Sequence, residues 1–200
     1  MDEAVEWIMF GIFLSHGEVC ATMSRVLIEQ SIHEPLLERL GEEAGKIRIG
    51  HGLDEDVLLD PLVSSSQHEK MLEVIERGKT EGRLVAGGSV PAGLESGCYV
   101  KPTIFADMAE DRSIWCEKIF GPVVRVKPFE TEADAIRMDN DSRFGLGAAV
   151  MSADLDRAER MARRFRAGII WINCSQRTFT EALWGGYKKS GIGRKLGERA

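Results

Sequence analysis

Residues 123–172, VVRVKPFETEADAIRMDNDSRFGLGAAVMSADLDRAERMARRFRAGIIWI, decide the fold. Val123–Phe129 reads as a strand, Thr131–Asn140 as a helix and Gly147–Met151 as a second strand. Asp154–Arg166 then carries Leu155, Ala158, Ala162 and Phe165 along one helical face, and Gly168–Ile172 is an apolar, buried strand. Strand–helix–strand–helix–strand is the pattern of a parallel α/β sheet, because parallel neighbours need a crossover long enough for a helix. Arg157, Arg160, Arg163, Arg164 and Arg166 crowd the opposite side of the second helix with Glu159 among them, which marks a solvated face rather than an anion site.

Upstream the same reading continues. Val5, Ile8, Met9, Ile12 and Phe13 recur at helical spacing, and Trp7, Phe10 and Leu14 on the other faces predict a helix buried on most sides. Arg25–Glu29 reads as a strand, residues 34–46 as a helix and the Gly/Asp-rich residues 49–60 as a loop. A helix over 66–81 opens on capping serines. Leu84–Ala86 and Tyr99–Phe105 read as strands, the latter interrupted by Pro102. The expectation is one α/β domain over residues 1–200.

The chain has 200 residues, 44% hydrophobic and 29% charged, with a net charge of -6. That is an ordinary globular composition, and its acidity argues against nucleic acid or an anionic membrane as partner. No apolar run approaches the roughly 20 residues that span a bilayer, and Asp2, Glu3 and Glu6 deny the N-terminus the basic start of a signal peptide. Cys20, Cys98, Cys116 and Cys174 form no C-x-x-C pair, and His16, His33, His51 and His68 show no ligand spacing. No metal site is expected, and a reduced, cytoplasmic setting is the simplest reading.

Cys20 lies in Ser15-His16-Gly17-Glu18-Val19-Cys20-Ala21-Thr22-Met23-Ser24-Arg25, a thiol among small and hydroxyl residues after an apolar helix. Such a thiol is a candidate covalent nucleophile, although a free cysteine taken alone is more often a core filler. His16 lies four residues earlier, so an unbroken helix would pair the two as thiolate and imidazolium; Gly17 between them argues that the helix ends first. Gly145-Leu146-Gly147 is no dinucleotide fingerprint, since its glycines follow a helix and open a strand.

Three separated motifs carry a resemblance over essentially the whole chain: Gly17-Glu18-Val19-Cys20 with Ser24-Arg25, Ile119-Phe120-Gly121-Pro122-Val123, and Gly185-Gly186-Tyr187-Lys188-Lys189-Ser190-Gly191-Ile192-Gly193-Arg194. Asn140-Asp141, Gly145-Leu146-Gly147 and Trp171-Ile172-Asn173 fill the intervals in order. The chain resembles the aldehyde dehydrogenases, within them the betaine-aldehyde and aminoaldehyde branch. The resemblance implies a parallel-sheet catalytic domain and oxidation of an aldehyde to the acid. Cys20 would add to the carbonyl as a thiohemiacetal, hydride would pass to NAD or NADP, and water would hydrolyse the thioester. It implies that the Cys20 N–H serves an oxyanion hole, that Phe120 packs near the nicotinamide ribose, and that Trp171 and Trp184 line the aldehyde channel, with Trp184 offering a π face to a cationic group.

The resemblance also implies parts that these residues do not supply: a nucleotide-binding domain before the nucleophile, which would hold most of the cofactor, and a C-terminal oligomerisation strand that pairs subunits. The expectation is therefore a catalytic domain cut at both ends, from a family whose full-length members are homo-oligomers. Four positions depart from the family pattern. Lys118 stands where a glutamate accepts bonds from the nicotinamide-ribose hydroxyls, and an ammonium has no acceptor. Glu18 replaces a Gln, setting a negative charge beside the nucleophile, His16 replaces an Asn, and Lys195 a Glu. In the substrate channel Leu14 stands where the branch often has an aromatic, and Ile169 where a trimethylammonium group needs a small residue. Both favour a slimmer aminoaldehyde or an aliphatic aldehyde over betaine aldehyde. Two other readings are a catalytically incompetent domain that acts by association, and a thiol hydrolase using Cys20 with His16.

Overall fold

The apolar runs at Thr103–Ala106 (β3) and Val123–Phe129 (β4) pair as parallel strands, Thr103 opposite Val123 through Ala106 opposite Val126. Around them, in the computed structural model, which describes residues 1–198, lie α1 (Asp2–Phe13), β1 (Arg25–Glu29), α2 (His33–Lys46), α3 (Ser65–Glu81), β2 (Arg83–Ala86) and α4 (Ser113–Cys116). The strand order is β1-β4-β3-β2, and β2 runs antiparallel to β3. Side chains alternate between the two faces of a strand, and the two cores follow that alternation. Ile104, Ala106, Val124 and Val126 join residues of α1 and α2, including Phe13, Leu37 and Leu40. Phe105 and Val123 join residues of α3 and α4, including Met71, Ile75 and Ile114. This is a helix–sheet–helix unit, residues 1–128.

The second unit begins at Phe129. It comprises α5 (Glu132–Asn140), β5 (Phe144–Gly145), β6 (Gly147–Val150), α6 (Leu155–Ala162), β7 (Ile169–Ile172) and β8 (Tyr187–Lys188). Strands β6 and β7 are parallel, Gly147 opposite Ile169, and β5 and β8 antiparallel. Ala135, Ile136, Val150, Ala158 and Met161 form its core. Thr131 and Asp134 close a reciprocal capping box on α5, and Asp154 caps α6 through the Arg157 N–H at 3.0 Å.

The parallel α/β architecture is present, but the five elements of the opening stretch do not feed one sheet: β4 pairs with β3, whereas β6 and β7 form a pair of their own. A strand–helix alternation fixes polarity without fixing neighbours. The helix expected over 154–166 stops at Ala162 because Asn140, at the end of α5, bonds the Arg164 carbonyl at 3.0 Å and the Arg166 N–H at 2.7 Å, drawing that backbone out of the helical ladder. The strand expected from Tyr99 begins only at Thr103, after Pro102, which has no N–H to give a ladder. Helix α1 is less enclosed than expected, with Phe10 42% exposed, and in β7 only Trp171 is fully buried.

Candidate active site

Helix α1 ends at Phe13, and the chain then turns through three left-handed residues: Ser15 at φ 48°, His16 at φ 57° and Gly17 at φ 72°. Gly17 is required twice over, since a Cβ there would lie 2.3 Å from the carbonyl oxygen of Gly121. That approach brings the first two motifs together. Cys20 follows on an exposed turn, with Val19 C=O accepting the Thr22 N–H at 3.1 Å and the Thr22 hydroxyl returning to Gly17 C=O at 3.1 Å. Met23 N–H donates to Gly11 C=O at 3.0 Å and Ser24 C=O accepts from the Arg125 N–H at 3.1 Å, which leads the segment into β1.

Lys118 and Phe120 lie against this turn. The Lys118 ammonium donates to the Cys20 carbonyl at 3.2 Å and sits 5.4 Å from the centre of the Phe120 ring. Phe120 has a left-handed backbone, φ 60°. Helix α3 holds it there: Gln67 Nε2 donates to Phe120 C=O at 2.5 Å, and Lys70 Nζ to Ile119 C=O at 3.4 Å. Glu117, next to Lys118, faces away and takes Arg77 of α3 in a two-pronged pair at 3.0 and 3.2 Å. That bond is the main cause raising the Arg77 guanidinium above its ordinary pKa.

His16 is not a helical neighbour of Cys20, because the left-handed turn destroys the i, i+4 geometry. Its Nε2 pairs with the Asp60 carboxylate instead, and its Nδ1 faces Glu18 Oε2 at 3.6 Å. Glu18 in turn accepts the Val63 N–H at 3.1 Å. Beneath the site, Arg125 of β4 is 1% exposed and bonds Ser24 Oγ at 3.3 Å and Glu117 C=O at 3.4 Å, both neutral groups. Burial, with Arg25 nearby, pushes its guanidinium down to about 9. Nothing in the spacing of the sequence pointed to Asp60, Val63, Gln67 or Arg125, since each meets the Cys20 or Phe120 segment through long-range folding.

The remaining channel candidates fall in different places. Leu14 belongs to the first unit, at the exposed end of α1. Ile169, Trp171 and Trp184 belong to the second unit. There Trp171 and Trp184 meet with ring centres 6.2 Å apart, Trp171 Nε1 donating to Arg177 C=O at 2.8 Å. Trp184 exchanges both backbone bonds with Lys195, at 2.7 and 2.8 Å. The third motif packs onto β7 through Gly168, where a Cβ would be 1.7 Å from Gly185 O. Elsewhere His33, Glu34 and Asp107 cluster with metal-ligand atoms within 4.8 Å of one another, but Arg83 bridges both carboxylates, at 2.5 Å to Asp107 and 3.0 Å to Glu34. A guanidinium therefore already occupies both carboxylates of that cluster.

The chain resembles known proteins along its whole length. The family model described as aldehyde dehydrogenase family matches residues 1–200. A chloroplastic aminoaldehyde dehydrogenase of Arabidopsis thaliana and a chloroplastic betaine aldehyde dehydrogenase of Amaranthus hypochondriacus are each 46% identical over 99% of this chain. The crystal structure of betaine aldehyde dehydrogenase from Staphylococcus aureus in complex with NAD+ superposes with a TM-score of 0.96 at 38% identity over 98% of this chain. The chain spans 40% of the length of each of these three proteins.

Proposed function

The chain belongs to the aldehyde dehydrogenase family, and we propose that it carries the nucleophile of an enzyme that oxidises a small aldehyde to its carboxylic acid with NAD or NADP. The observation that carries this reading is the exposed Cys20 on a turn locked, through Gly17 and Gly121, to the segment bearing Phe120. As thiolate, Cys20 adds to the aldehyde carbon while the carbonyl electron pair moves onto oxygen, and the Cys20 N–H offers that oxygen a hydrogen bond. Cys20 thus carries the substrate first as a thiohemiacetal and, after oxidation, as a thioester that water cleaves to the acid.

The nicotinamide cofactor, when bound, supplies the two-electron acceptor. These residues fit it in part. Phe120 offers an apolar ring, whereas Lys118 presents a donor, already engaged by the Cys20 carbonyl, where the ribose hydroxyls need an acceptor. Among the described residues no strand, glycine loop and helix combine to cradle a pyrophosphate. The bulk of cofactor binding is assigned to sequence other than this chain.

For substrate, the paired Trp171 and Trp184 rings offer an aromatic surface to a cationic group. With Leu14 and Ile169 as they are, a slimmer aminoaldehyde or a plain aliphatic aldehyde is preferred to betaine aldehyde. No described helix is long and apolar enough to cross a membrane. A cytoplasmic setting is carried as a proposal, as are homo-oligomers for the full-length relatives.

NADH formation from ω-aminoaldehydes, betaine aldehyde and plain aliphatic aldehydes tests all of this, using both the 200-residue chain and any longer product of its gene. Turnover is expected only where the cofactor can be held, and the Cys20→Ser variant is expected to show none. Turnover that survives Cys20→Ser overturns the nucleophile assignment, and a preference for betaine aldehyde overturns the substrate assignment. Absence of NADH from every product, with Cys20 still protected from alkylation by aldehyde, favours an uncoupled domain that acts by association.

A further inference from the structure

The turn before Cys20 is costly to build. Ser15 and His16 are consecutive non-glycine residues in the left-handed region, at φ 48°, ψ 48° and φ 57°, ψ 17°. Each costs roughly 1 kcal/mol or more, so the conformation persists only where surrounding contacts over-determine it. Gly17 and its approach to Gly121 account for the end of the turn but not for the two residues before it.

The Glu18 N–H closes the turn on the Ser15 C=O at 2.9 Å, and the side-chain contacts converge on one imidazole. His16 has a side chain only 18% exposed, with Asp60 paired at Nε2 and Glu18 Oε2 3.6 Å from Nδ1. Its Nδ1 is buried and makes no hydrogen bond, so what faces it is the Glu18 charge. Glu18, 9% exposed, is itself fixed by the Val63 N–H at 3.1 Å. The imidazole therefore stands between two carboxylates, one on its own turn and one at the end of the 49–60 loop. Across the turn, Lys118 grips the Cys20 carbonyl at 3.2 Å. The turn is thus held on one side by the His16–Asp60 pair and the bond from the Val63 N–H to Glu18, and on the other by an ammonium. Cys20 is exposed, and the Lys118 contact reaches it through its main-chain carbonyl.

We infer that His16 is a positioning residue for Cys20: by pairing with Asp60 beside Glu18 it fixes the left-handed turn and so sets the direction in which the thiol is presented. Its two nitrogens are directed at carboxylates, so it acts on Cys20 through the backbone and not as a base. The inference rests on Cys20 being the nucleophile, and it gives a role to two of the positions, His16 and Glu18, at which this chain departs from its family.

Protection of Cys20 from iodoacetamide by an aldehyde, read by peptide mass spectrometry on the purified protein, tests it without cofactor or turnover. Cys116, the other exposed thiol, is the internal reference. In the wild type, aldehyde is expected to slow alkylation at Cys20 and not at Cys116. His16→Ala and Asp60→Asn are each expected to raise the protecting concentration about 10-fold, short of the roughly 100-fold that a full 1 Å misplacement of a reacting group can cost, and their double variant no further than either alone. His16→Gln, which keeps a donor near the Nε2 position, is expected to recover most of the protection. Unchanged protection in both single variants, additive losses in the double, or no recovery in His16→Gln overturns the positioning role. Asp60→Asn is the gentler variant should His16→Ala fail to fold, a failure visible as alkylation of the half-buried Cys98. Absence of protection in the wild type removes the nucleophile reading itself, and this inference with it.

Discussion

Lys118 is the residue at which the chemistry of the site is most open to change. It sits beside Glu117, yet the two acidic–basic neighbours face apart: Glu117 is spent on Arg77, and Lys118 on the Cys20 carbonyl and the Phe120 ring. Lys118→Glu replaces a donor by an acceptor where ribose hydroxyls would lie. Hydrogen bonds to a charged acceptor contribute roughly 1.5–3 kcal/mol each, so the variant is expected to bind NAD about 10-fold or more tightly. Titration of NADH fluorescence on whichever product binds the cofactor checks this, and an unchanged affinity would move the ribose elsewhere. At this scale the motif around Cys20 was legible because glycine, cysteine and following Ser-Arg are a local pattern. The pairing of Cys20 with His16 in the hydrolase alternative does not form, since a four-residue spacing carries geometric meaning only inside a helix and the chain leaves the helix through the left-handed Ser15, His16 and Gly17. Asp60 was invisible, being a loop carboxylate with no periodicity to reveal its partner.

At the scale of elements, helix α3 is the scaffold of the Phe120 segment. Gln67 and Lys70 hold its carbonyls, and Arg77 holds Glu117. At its C-terminal end Glu81 caps α4, accepting the Ile114 N–H at 3.1 Å and the Ser113 hydroxyl at 2.8 Å. Burial alone would raise the Glu81 carboxyl; the bonds from Ile114 and Ser113, with Arg77 nearby, outweigh it and hold the group below its ordinary value. A carboxylate lowered in the folded state stabilises the protein fully above its unfolded value, here 4.5, and loses that contribution as pH falls through the folded value. Glu81→Gln is therefore expected to cost about 1 kcal/mol at pH 7, the low end for a charged acceptor because the group is only half-buried. The gap from wild type should close below pH 4, as thermal melts across the acid range would record; a gap that stays constant with pH would mean the charge is not what caps α4. The long elements were readable, α2, α3 and α5 from their helical periodicity and caps. Helix α4 was not, for a single turn of four residues shows no period, and α6 was overrun because the side chain that ends it comes from Asn140 on another helix.

Across the whole molecule, the three motifs that carried the family resemblance are divided between two units, the first two in residues 1–128 and the third from residue 129 onward. The sequence shows their order but not this division, because strand–helix alternation runs through Val123–Ile172 without a break in pattern while the pairing changes from β3–β4 to β6–β7. Each unit has buried clusters of its own, two in the first and one in the second, and its own half-buried thiol, Cys98 packed against one core of the first and Cys174 in the second. That pairing of cores with reporters makes their independence measurable. Gly168 is the closest approach in the second unit, with Gly185 O only 1.7 Å from where a Cβ would stand and backbone atoms that cannot rotate aside. Gly168→Ala must therefore shift β7 or the third motif, a displacement of the kind that costs about 2–4 kcal/mol. If the second unit is stabilised by its own core, the variant is expected to speed native-state alkylation of Cys174 by about 10-fold or more, while Cys98 keeps the wild-type rate. Equal acceleration at both thiols would mean that the chain opens as a single cooperative body, and that strain under the third motif is transmitted to the core beneath Phe120.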